Sequence, residues 1–383
     1  MRAWETDPDP AFARSVALPF VSQALAFYRD WMVEKPDGRG GTMLVDWVDC
    51  HDEYDMKQEN ISDGSKGNHS VWVPGCTQTN VLFANAMIRR LSAALPRLAA
   101  SAGVPLDPSL AGLGSRLPSL PVGVSKKGRT AGTEIYVAYG GVGGAGNTSD
   151  AADYLHWLYP TEYITRQSAA ADIARARRTI VAANDNKDGF TDNATSDNGF
   201  SAVFCSCAVV GMPLQQWLPQ FKAGLTQRLL RNYAVDLAAG LEGLAAADAV
   251  TLLLLQSWWG PNNTAVAQVF PLWNSTQPAR FVGLRVKGGY SLAANFSVAG
   301  QGKGRGHGHG QSSEGRVVGA VMVSAGSAFA GRVPLRLVLP DGWSAASVWA
   351  SSANGSRATL KYGVGWVELP ACGSCLPFAV MEA

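Results

Sequence analysis

Residues 249–290 read AVTLLLLQSWWGPNNTAVAQVFPLWNSTQPARFVGLRVKGGY, and the change of pattern inside this stretch decides the fold. Its first part, Ala249 to Trp259, carries no charge and is mostly apolar, as the end of a buried helix would be. Beyond residue 278 the pattern shortens to Phe281-Val-Gly-Leu-Arg-Val and then Tyr290 to Val298, runs of strand length closed by glycine turns. Working outward, the earlier chain carries apolar residues at helical spacing. Ala11 to Trp31 places Val16, Leu18, Phe20, Leu25, Phe27 and Trp31 before a Pro36-Asp-Gly stop. Further helices are expected over Asn80 to Ala100, Ile164 to Ala183, Phe200 to Val210, Leu214 to Tyr233 and Val235 to Gln256. The later chain offers strands over Gly315 to Ser324, Val333 to Leu339, Ser347 to Ala350 and Val364 to Leu369, separated by Gly, Pro-Asp-Gly and Asn-Gly turns. The expectation is a mainly α plus β chain: an all-helical region over 1–277, then a small antiparallel β domain over 278–383. Pro105 to Gly146, rich in Pro and Gly, is expected to form a long surface excursion reaching to about residue 150.

Composition narrows the function. The 383 residues are 47% apolar and 16% charged, which is enough to bury a core. Lys plus Arg number 32 against 30 Asp plus Glu, and a net charge of +2 supplies no broad field for gripping phosphates, so no nucleic-acid partner is expected. The uncharged run Ala249 to Trp259 is 11 residues, short of the roughly 20 that a bilayer crossing needs, and no membrane partner is expected either.

Two signals about export conflict. The N-terminus, Met1-Arg-Ala-Trp-Glu-Thr-Asp-Pro-Asp-Pro, has acids and prolines where a secretion signal has a basic start and an apolar segment. Yet eight Asn-x-Ser/Thr sequons occur among 15 asparagines, at Asn60, Asn68, Asn147, Asn193, Asn262, Asn274, Asn295 and Asn354. Chance gives roughly two, so the expectation is an extracellular or secretory-pathway glycoprotein whose ancestral start lies upstream of Met1.

Six cysteines lie at 50, 76, 205, 207, 372 and 375. Cys50 with Cys76 and Cys372 with Cys375 are possible bridges, and the sequence does not choose among the pairings. Cys205-Ser-Cys207 with Cys372-Gly-Ser-Cys375 could supply four zinc thiolates, but the pairs are far apart and neither sits in a compact knuckle. Asn184-Asp-Asn186-Lys-Asp188-Gly189, with Asp192, resembles a calcium loop whose last position is Thr195 rather than Glu; a turn rich in Asn and Asp accounts for it as well. No metal and no cofactor are expected.

Five runs, in one order, carry a resemblance. Leu155 to Pro160, Asn198-Gly-Phe-Ser201, Leu252-Leu-Leu-Leu-Gln-Ser257, Val269-Phe-Pro-Leu-Trp273 and Gly283-Leu-Arg-Val-Lys-Gly-Gly-Tyr290 are similar to the "HLYGLYPG", "TGWS", "LLQS", "LLPALP" and "GLRARGGF" segments of glycoside hydrolase family 95, the α-L-fucosidases and α-L-galactosidases. The resemblance spans about residues 15 to 370. It implies part of an (α/α)6 toroid-like helical barrel followed by a β-sandwich, acting on a fucosylated or L-galactosylated glycan. It also implies that the family's N-terminal β-sandwich, its first barrel helices and its water-orienting asparagines have no counterpart in this chain.

The family inverts, and inversion needs two carboxyl groups roughly 6.5 to 9.5 Å apart, one protonating the departing oxygen and one activating water. Counting from Met43-Leu-Val45, Glu53 falls on the acid of the family's "SPEN" turn, although the Ser, Pro and Asn are not kept. A Glu in a Trp-bearing loop suits an acid whose pKa is lifted by burial; the cluster of Asp46, Asp49, Asp52, Glu53 and Asp55 also reads as a solvated acidic surface. Gly240-Leu-Glu242-Gly243 resembles the "IDG" that carries the base, which places Glu242 there. A Glu for Asp shifts the carboxylate by about one methylene, and displacements near 1 Å can cost about a hundredfold. The histidine of "HLYGLYPG" falls on Tyr154, with His156 two positions away. The alternative expectation is a catalytically inactive relative that binds glycans, or a gene fragment without activity.

Overall fold

A computed structural model describes residues 2–37, 78–138 apart from Lys127, 153–184, 199–228, 242–273 and 277–298, together with shorter strand segments within 42–73 and 317–381. Its helices are α1 (Arg2–Thr6), α2 (Pro10–Phe12), α3 (Leu18–Trp31), α4 (Leu82–Ala102), α5 (Pro108–Ala111), α6 (Ala170–Asn184), α7 (Gly199–Val209), α8 (Leu218–Arg228) and α9 (Glu242–Leu254). The strands before the carboxyl-terminal third are β1 (Val33–Pro36), β2 (Thr42–Val45), β3 (Trp47–Val48), β4 (Lys57–Ile61), β5 (His69–Val73), β6 (Gln78–Thr79), β7 (Val122–Val124) and β8 (Glu134–Tyr136). Those that follow are β9 (Leu255–Trp259), β10 (Ala265–Val269), β11 (Ala279–Val286), β12 (Tyr290–Val298), β13 (Val317–Ala325), β14 (Leu335–Val338), β15 (Ser347–Ser351), β16 (Arg357–Thr359), β17 (Lys361–Gly363), β18 (Trp366–Leu369) and β19 (Phe378–Met381).

The chain divides into two compact units. One comprises Leu18–Pro96 and Pro105–Ala246; the other comprises Met1–Ala17, Arg97–Val104 and Ala247–Ala383. In the first, α7 is apolar all round and every residue from Val203 to Val210 is buried, as expected of a helix inside a core. It packs against α6 and against the 3-10 turn Asp153–Trp157. The rings of Phe204, Trp217 and Phe221 meet at 5.1 to 6.1 Å. The β7–β8 hairpin lies on α6, fixed where the Tyr136 N–H donates to Thr179 Oγ1 at 2.8 Å and Arg178 Nε donates to the Glu134 carbonyl at 2.8 Å.

In the second unit a five-stranded sheet runs in the order β17-β18-β14-β10-β9 and a six-stranded sheet in the order β11-β12-β13-β19-β15-β16. Both contribute to one core: Ala265, Ala267 and Val269 of β10 and Leu335 and Leu337 of β14 join Phe281, Val286, Tyr290, Leu292, Ala294 and Phe296 of β11 and β12. All five residues of β10 are buried, which is why AVAQV shows no alternation. β11 carries an irregularity between Phe281 and Leu284, where Gly283 takes φ 75°. The β11–β12 turn uses Gly288 and Gly289 at φ 86° and 82°.

Four expectations are corrected. The helix expected over Val235 to Gln256 ends at Leu254, and Leu255 already belongs to β9; a short apolar run does not distinguish a helix from a buried strand. The region before 278 is not all-helical, since it holds β1 to β10. Pro105 to Gly146 is not simply a surface excursion over its described part: Leu110, Leu113, Leu117 and Ile135 to Ala138 are buried, and α5 and the β7–β8 hairpin lie within it. Finally, the β-sheets do not begin at 278: the described pairings within 278–383 are antiparallel as expected, but β9 and β10 join the five-stranded sheet from before 278, and β10 pairs with β14 in parallel, Ala265 opposite Leu335.

Candidate functional site

The run Leu155 to Pro160 is the motif-bearing segment whose surroundings are best defined. Leu155, Trp157 and Leu158 are fully buried, Tyr159 nearly so, and the Tyr159–Pro160 peptide is cis. Ser206 Oγ of α7 lies 3.5 Å from the Leu155 carbonyl, holding the run to the buried helix. His156 is exposed and meets the Phe83 ring edge-on at 5.9 Å. The Trp157 Nε1–H is buried and has no hydrogen-bond partner among the described residues.

Against Trp157 stands Tyr136, with ring centroids 4.9 Å apart. Its hydroxyl donates to Asp172 Oδ1 at 2.8 Å and accepts from Arg175 Nη1 at 3.1 Å. Arg175 also donates to Asp172 at 3.0 Å and, through Nε, to Glu134 at 2.6 Å, while its guanidinium lies over the Tyr136 ring. Burial first, and the Asp172 carboxylate second, hold the Tyr136 phenol far above the ordinary phenol range, so it remains a neutral donor. The network ties β8 to α6 behind the Leu155–Pro160 run. Its donors and acceptors are engaged with one another, so it scaffolds the run rather than moving protons. Only the Asp172/Arg175 spacing of three on α6 hinted at it in sequence.

A second polar network fixes the start of α4. Asn80, at φ 56° and 1% exposed, donates to the Ser119 carbonyl at 3.0 Å and accepts from Asn85 Nδ2 at 2.7 Å. Asn85 also donates to the Pro118 carbonyl, and Arg89 bonds Asn85 Oδ1 together with the Leu117 and Pro118 carbonyls. These bonds to the Leu117, Pro118 and Ser119 carbonyls make the network a clasp for residues 117–119.

In the other unit, three motif runs meet. The Phe270 N–H donates to the Leu254 carbonyl at 2.7 Å, joining VFPLW to LLLLQS. The Phe270 ring lies 5.4 Å from Phe281 and 5.3 Å from Phe296. The Lys287 N–H donates to Ser257 Oγ at 3.3 Å, joining GLRVKGGY to the same LLLLQS run. Lys287 Nζ then pairs with Glu5 Oε2 at 3.0 Å, with both side chains buried; Glu5 Oε1 accepts from Trp259 Nε1 at 3.1 Å, and the Glu5 carbonyl from the Gly288 N–H. Nothing in the sequence pattern pointed to Glu5.

The expected catalytic residues are not brought together by what is described. Glu53 and its acidic neighbours Asp49, Asp52 and Asp55 lie outside the described residues. Glu242 is the first residue of α9, and its side chain is outside the described set. The side chain of Tyr154, the calcium-like loop from Asp185 to Asp192, and Cys50, Cys76, Cys372 and Cys375 also lie outside it. Cys205 and Cys207 sit buried in α7; burial first, and the neighbouring Cys205 second, push the Cys207 thiol well up. Among the described residues no helix is long and apolar enough to cross a membrane. No protein-family model matches the chain, and no curated protein matches it either.

Proposed function

We propose that the chain is an exported inverting glycoside hydrolase of the α-L-fucosidase/α-L-galactosidase type, acting on fucosylated or L-galactosylated glycans without a cofactor. The observation that carries this reading is the ordered set of five family-like segments, supported by the meeting of three of them, LLLLQS, VFPLW and GLRVKGGY, around Phe270 and Lys287. Glu53 serves as general acid and Glu242 as general base. The departing oxygen takes its proton from Glu53 while a water, losing its proton to Glu242, attacks the opposite face of the sugar.

The experiment is hydrolysis of aryl α-L-fucosides and α-L-galactosides by the full chain and by Glu53→Gln and Glu242→Gln. Loss of a correctly placed acid or base lowers kcat by about 10²- to 10⁴-fold, and proton NMR of the first product shows inverted anomeric configuration. Equal rates in wild type and Glu53→Gln remove Glu53 from the mechanism. The lost Ser, Pro and Asn around Glu53 favour a second reading, a glycan-binding relative without turnover. Fucoside binding by calorimetry, with no hydrolysis in any of the three proteins, selects it.

A further inference from the structure

Asn262 lies in the turn between β9 and β10, within Pro261-Asn262-Asn263-Thr264. The turn closes on its own backbone: the Gly260 N–H donates to the Thr264 carbonyl at 2.8 Å and the Thr264 N–H to the Pro261 carbonyl at 3.1 Å. Asn262 and Asn263 both take left-handed conformations, φ 54° and 57°, and both are exposed. Asparagine tolerates that conformation better than most residues, which accounts for two asparagines in succession. It does not account for Thr264 two positions after Asn262, nor for a chain in which eight of 15 asparagines head such a triplet where roughly two are expected.

We propose that Asn262 is an N-glycosylation site. The donor is a lipid-diphosphate-linked oligosaccharide. The Asn262 side-chain nitrogen attacks the anomeric carbon, the N-glycosidic bond forms as the bond to the diphosphate oxygen breaks, the lipid diphosphate leaves with the electron pair, and one amide proton is lost to solvent. The fold accepts the product because the turn is solvent-facing and no ladder hydrogen bond has to open. The position is also useful. β9 is the last strand in its sheet order and carries the half-buried Trp258 and Trp259, so a bulky polar group at the tip of its hairpin discourages strand-to-strand association. The inference stands whether or not the chain hydrolyses sugars.

The test is production of the full 383-residue chain, with an added secretory leader, in a eukaryotic host, followed by peptide mapping after peptide-N-glycosidase digestion in heavy-oxygen water. The peptide containing Asn262 is expected to carry the isotopic Asn-to-Asp conversion in wild type and in Thr264→Ser, which keeps the triplet, and to lack it in Thr264→Ala, which leaves Asn262 and the turn in place. An unmodified Asn262 peptide in wild type overturns the assignment, whether the other triplets are occupied or empty. So does a conversion that persists in Thr264→Ala.

Discussion

A phenol that is 1% exposed has almost no water to stabilise its anion, and burial pushes the Tyr290 hydroxyl from 10.0 up to about 12. The folded chain therefore keeps this proton at a pH where the unfolded chain releases it. The associated stability is complete below the unfolded value of 10.0 and is lost as pH rises from there toward 12. Tyr290→Phe removes that one contribution. Urea titrations at a series of alkaline pH values are expected to show a shallower loss of stability for the variant than for wild type across this window, and parallel curves would mean that Tyr290 is not the group responsible. The residue heads β12 as the last member of the GLRVKGGY run, so the same side chain that suggests kinship in sequence is packed between strands in the structure.

At the scale of the element, the end of α7 shows how local sequence stops a helix. The Met212 N–H donates to the Cys207 carbonyl at 2.8 Å and the Gly211 N–H to the Ala208 carbonyl at 3.1 Å, a Schellman closure with Gly211 in the left-handed region at φ 67°. A Cβ on Gly211 would also come within 2.8 Å of the Arg166 side chain. Gly211→Ala is expected to cost about 1–2 kcal/mol from the backbone conformation alone, read as a lowered urea midpoint with an unchanged slope; an unaltered midpoint would refute the closure. Elements of this kind were legible. The Phe200 to Val210 periodicity gave α7 to within a residue, and Tyr290 to Val298 is the whole of β12. Less legible was anything set by tertiary surroundings. Leu252 to Leu255 is one uninterrupted apolar run in sequence, yet it is divided between α9 and β9, because β9 pairs with β10, which follows it after five residues and is itself wholly buried. On α3, spacing alone marked Leu25, Phe27 and Trp31 alike as apolar; the fold buries Leu25 and leaves Phe27 and Trp31 56% and 45% exposed.

At the scale of the whole chain, what decides is contact between residues that the sequence keeps far apart, and here pattern reading has no purchase. Glu5 belongs to a helix of five residues with no amphipathic signature, and Lys287 to a glycine turn. They are 282 positions apart, yet they form a buried pair that also takes in the Trp259 indole, bonded through its N–H to Glu5 and covered on its face by Arg97 at 5.0 Å. That contact lies within the unit that joins Met1–Ala17 to the strands β9 to β19, a membership that composition could not disclose. Two charges withdrawn from water add little net stability while both are present, but removing one leaves the other buried and uncompensated. Lys287→Met is accordingly expected to destabilise the chain by about 3–5 kcal/mol, with Glu5→Gln/Lys287→Met losing less than the single Lys287→Met because the second change removes the stranded charge. Thermal unfolding of the two variants reads the sign directly. If the double variant is the less stable of the two, Glu5 is sustained by its other contacts and the ion pair is not what fastens the amino-terminal helix to the β11–β12 turn.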